Sequence, residues 1–87
     1  MEREIEQMIA NVEQAYSTVF SESYVKNDLR DRTYKRDFYI QAFNKYSGLG
    51  NFLKILESRY PQNLGLISRC KKCIDHTNKM LEIVRNF

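Results

Sequence analysis

Residues 66–87 read LISRCKKCIDHTNKMLEIVRNF, and their spacing imposes a helix. Ile67, Cys70, Ile74, Thr77, Leu81 and Val84 follow one another at alternating steps of three and four. Leu66, Cys73, Met80 and Phe87 form a second row beside them, each seven residues after the last. Side chains spaced in this way fall on one side of an α-helix as a wide apolar stripe. Arg69, Lys72, Asp75, His76, Lys79, Glu82 and Asn86 occupy the opposite side, which stays wet. Such a helix is not stable alone in water, so the stripe needs partner helices to cover it.

The preceding residues read as that cover. Ile5, Met8, Val12, Ala15 and Val19 keep the same rhythm, flanked by Ile9 and Tyr16, which predicts a first helix over about residues 2–20. Its early glutamates suit the positive end of the helix dipole. At Glu22 the next stripe position is charged, and Ser21, Ser23, Asn27, Asp28 and Asp31 prefer turns and caps. Residues 22–31 are therefore expected to be a connection, helical in part.

From Arg32 the pattern returns. Tyr39, Ala42, Tyr46, Leu49, Leu53, Leu56 and Tyr60 hold the rhythm, with Phe38 and Phe52 widening the stripe on one side and Phe43 on the other. Ser47-Gly48-Leu49-Gly50 has turn composition, yet the rhythm keeps its phase across it. One long helix, kinked or loosened at 47–50, is the expected form; two shorter helices are the alternative. Pro61 ends it, since a residue before proline is pushed out of the helical region. Asn63 is a candidate cap for the last helix. The expected fold is all-α: a small antiparallel three-helix bundle, or a four-helix variant if 47–50 splits, in one domain over residues 1–87.

The totals agree with this class. Apolar residues make up 43% of the 87, enough for one core, and a single proline with three glycines is too few turn residues for a β-sandwich. No apolar run is long enough to span a bilayer. Neither a secretory signal nor a disulfide framework is indicated, so an intracellular, cytoplasmic setting is expected. The net charge of +3 conceals an asymmetry. Residues 1–22 set five glutamates against Arg3 alone, and nearly all the cations follow. Pairing of the acidic first helix with the basic remainder is the expected use of that contrast.

Chemical motifs are few. Cys70-Lys71-Lys72-Cys73 lies inside a helix with no strand before it, and His76 is the only histidine, so buried apolar cysteine is expected in place of redox or zinc chemistry. His76 and Lys79 read as solvated surface. No serine or cysteine nucleophile has a plausible base, and no glycine-rich loop cradles a phosphate. No enzyme activity, cofactor or metal is expected.

The most suggestive surface spans residues 26–43. Cations there alternate with rings, and the pattern suits an interface. Arg30, Arg32, Tyr34, Lys35, Arg36 and Ile40 are the candidate partner-binding residues. Phe38 and Tyr39 are assigned to the core, which removes them as stacking platforms. Ile40, Ile55 and Ile83 lie off the stripes and would contribute to a protein-binding face or a homodimer. A small non-enzymatic protein-interaction module (adaptor, regulator, inhibitor or assembly subunit) is the expected function. A nucleic-acid-associated protein using the basic segment 26–36 is the alternative, because near-balanced charge argues against a dedicated nucleic-acid binder.

Overall fold

A computed structural model of the chain describes all 87 residues. Its helices are α1 (Glu2–Tyr16), α2 (Glu22–Asp31), α3 (Arg36–Asn44), α4 (Leu49–Arg59) and α5 (Leu64–Arg85). The fold is an all-α bundle, elongated at 44 × 18 × 16 Å. Helix α5 is its continuous spine. Glu2 meets Asn63 at one end of α1 and Tyr16 meets Thr77 at the other, so α1 runs parallel to α5. Arg36 meets Val84 and the Leu49 carbonyl meets Cys70, so α3 and α4 run antiparallel to it.

The middle leg remains one helix. Lys45–Gly48 tightens into a 3₁₀ turn, but its residues keep helical dihedrals (Gly48 φ −62°, ψ −16°), and α3 passes into α4 without leaving the helical region. No glycine there has positive φ, and an added Cβ at Gly48 or Gly50 would meet nothing within 4 Å. The turn composition therefore loosens the helix without breaking it.

The first leg is shorter than its periodicity suggests. Helix α1 stops at Tyr16, because the hydroxyls of Ser17 and Thr18 donate back to the Gln14 carbonyl at 3.0 and 2.8 Å. Such local bonds compete with the helix ladder. Val19, expected on the stripe, is exposed, as is Met8, while Ile9 is buried. The chain then forms an elbow over residues 17–21. The connection expected at 22–31 is helix α2 throughout, started by Ser21, whose Oγ accepts from the Tyr24 N–H at 3.3 Å. Val25 and Leu29, four apart, anchor it in the core. Glu22 reaches Lys79, and the chain leaving α2 leads to Arg36 beside Val84, so α2 covers the last third of α5.

On α5 the buried row is Cys70, Cys73, Thr77, Met80 and Val84, with Leu66 and Ile67 at its start. Ile74 and Leu81 are half-buried on its flank, and Phe87 is exposed. The stripe is thus turned toward the row one step over. Asn63 caps α5 through the Leu66 N–H (3.2 Å) and donates to Glu2 at 2.8 Å. The charge asymmetry is used internally. Arg69 forms a fork on Glu13 at 3.0 and 2.7 Å, and Glu22 holds both Lys26 (2.7 Å) and Lys79 (2.8 Å).

Candidate interaction surface

The corner where α2 turns into α3 is built around one carboxylate. Asp28 accepts from Tyr39 Oη at 2.5 Å and from Arg32 Nε at 2.6 Å, with Lys35 Nζ at 3.6 Å. The four-residue step from Asp28 to Arg32 puts that pair on one face of α2. Tyr39 is buried, so its bond fixes the carboxylate against the bundle. Hydrogen bonding from Tyr39 holds the Asp28 carboxyl below the usual carboxylate range, assisted by Arg32. Burial, then the bond to Asp28, pushes the Tyr39 phenol up. Lys35 Nζ also lies 4.8 Å from the centre of the Phe38 ring and 5.7 Å from that of Tyr39.

This arrangement divides the six sequence-predicted residues. Arg32 and Lys35 are folded onto Asp28. Arg36 is turned inward, donating through Nε to the Val84 carbonyl (3.0 Å) and through its terminal nitrogen to the Arg85 carbonyl (2.6 Å). There it satisfies unpaired carbonyls and opposes the negative end of the α5 dipole. Ile40 is half-buried and packs on the core, as do Ile55 and Ile83, so the off-stripe isoleucines make no exposed patch. Arg30 stays on the surface, bonded only to Asn27 at 3.1 Å. Tyr34 is 79% exposed.

The sequence reading missed two rings and the hub. Phe38 is 52% exposed although it was assigned to the core, and Tyr24 is 48% exposed. Phe38 stands about 100° round the helix from Tyr39, so when Tyr39 faces inward Phe38 faces sideways. The spacing Asp28–Arg32 was the available signal for the hub. The remaining exposed large apolar residues, Met1, Met8, Val19, Leu64 and Phe87, share no such frame.

The motifs on α5 take structural places. Cys70 and Cys73 are buried and free, and the Cys70 thiol donates to the Leu49 carbonyl at 3.5 Å. Burial raises both thiols, Cys73 to about 11, so they are protonated at neutral pH. His76, expected as solvated surface, is instead half-buried with its ring 4.2 Å from that of Tyr16. No helix is long and apolar enough to cross a membrane. No protein-family model, curated protein or solved structure matches this chain.

Proposed function

We propose that this chain is a small non-enzymatic protein-binding module that docks through the α2–α3 corner. The observation that carries the reading is the exposure of Tyr24, Tyr34 and Phe38 around a corner held stiff by the Asp28 hub. Tyrosine, phenylalanine and arginine anchor interfaces because each brings large contact area at low entropic cost. Arg30 supplies a free guanidinium at the edge of the same surface.

Charge favours a protein over a nucleic acid. Lys26 is held by Glu22, Arg32 and Lys35 by Asp28, and Arg36 by α5 carbonyls. Arg30 is the cation of this segment left without an acidic or carbonyl partner, and single-stranded nucleic acid binding relies on many phosphate contacts. The test uses Tyr34→Ala/Phe38→Ala, two changes at exposed positions that leave the core untouched. Capture from a native-host extract at about 150 mM salt should recover a protein that the variant loses. Equal recovery by the variant, or a sub-micromolar gel shift of single-stranded oligonucleotide at the same salt, would refute the proposal.

A further inference from the structure

One buried side-chain nitrogen or oxygen in the molecule has no partner in the chain: Nε2 of His76. Buried polar atoms are almost always paired, so the exception calls for a physical account. The imidazole sits where three elements meet. Tyr16, the last residue of α1, packs its ring against it; the Phe20 backbone carbonyl of the elbow pairs with its other nitrogen; Glu22 opens α2 nearby. Neighbours from α5 are Cys73, Lys72 and Lys79, and Lys26 and Arg30 reach the same groove from α2.

The neutral ring fits this place: one N–H meets the Phe20 carbonyl, and the bare Nε2 is covered. A second proton fits poorly, because it adds a donor at a covered atom without an acceptor and a charge beside Lys79. Burial and Lys79 lower the His76 pKa, while the Phe20 carbonyl and Glu22 oppose them less strongly. Glu22, on the open side, is the nearest carboxylate that a charged imidazole would reach by turning outward.

We infer that His76 is an acid-released latch on the elbow between α1 and α2. When neutral, it holds residues 17–21 against α5. When protonated from solvent, it swings out toward Glu22 and the elbow lifts, uncovering the Phe20 ring that packs on Tyr39, Phe43 and Tyr46. The tether between Glu22 and Lys79 outlasts this change, because hydrogen bonds from Lys26 and Lys79 hold the Glu22 carboxyl down to about 2. Opening is therefore confined to the elbow, and the device is independent of the docking corner.

The experiment is amide hydrogen exchange on the whole chain at about pH 7.5 and pH 5.0, corrected for intrinsic exchange, with His76→Gln alongside. In the wild type, amides of residues 17–22 should lose protection severalfold at the lower pH while those of α4 and α5 keep theirs. The His76→Gln variant should show no such pH dependence. Unchanged elbow protection in the wild type, or an equal loss in the variant, overturns the inference. Should the variant not fold, the wild type alone decides: the ring titration of His76, followed by NMR, must coincide with the elbow transition and lie below the ordinary histidine range. A separate midpoint, or one at or above that range, overturns it.

Discussion

Tyr16 and Thr77 make the one buried hydrogen bond between side chains of different helices, and it gives a sharp test of the packing. Thr77 has a single hydroxyl proton, which it donates to the Cys73 carbonyl at 2.8 Å. Tyr16 must then be the donor to Thr77 Oγ1, giving a directed chain from phenol to hydroxyl to backbone. Tyr16→Phe removes one neutral hydrogen bond and leaves Thr77 its own acceptor, a loss of about 0.5–1.5 kcal/mol. Thr77→Val keeps the volume but strands the buried phenol, which costs about 1–3 kcal/mol. Combining both replaces the two polar partners by apolar groups of similar shape. The double variant is expected to be about as stable as Tyr16→Phe alone, a favourable coupling of about 1–2 kcal/mol. Urea unfolding of the four proteins, with slopes compared to confirm two-state behaviour, measures the cycle. Additive losses, or a Thr77→Val protein as stable as wild type, would refute the donor chain.

Three further outcomes follow from local geometry. Gly48→Ala and Gly50→Ala should each stabilise by about 0.5–1 kcal/mol in chemical denaturation, because both sites have negative φ and room for a methyl group. Arg36→Gln should destabilise by about 1–2 kcal/mol through loss of the α5 carbonyl bonds, with fraying of α5 beyond Ile83 visible in hydrogen exchange. On the acid side, Glu22 is lowered to about 2 by its bonds from Lys26 and then Lys79. A lowered carboxylate stabilises above its unfolded value, near 4.5, and that contribution disappears as pH falls toward 2. Thermal melts of wild type and Glu22→Gln should therefore differ at pH 6 and converge near pH 2.

The rhythm of threes and fours was sufficient for the helical class, because burying an apolar stripe is a demand each segment makes on its own. It also carried the middle leg correctly across Ser47-Gly48-Leu49-Gly50: a helix that keeps its phase keeps its buried face, whatever its local propensity. The cap at Asn63 and the inward use of the acidic first helix were legible for the same local reasons. Helix α2 was not, since ten residues with only Val25 and Leu29 buried carry too little pattern to outweigh their turn-forming composition.

At the corner, the amino-acid sequence by itself determined that cations and rings would cluster, but not which of them would be free. That depended on tertiary partners far along the chain. Arg36 is spent on carbonyls 48 and 49 residues away, and Tyr39 fixes the carboxylate that draws in Arg32 and Lys35. The outward turn of Phe38 and the half-burial of His76 have the same origin. A helix fixes the angle between successive side chains, whereas its rotation about its own axis is set by the helices packed against it.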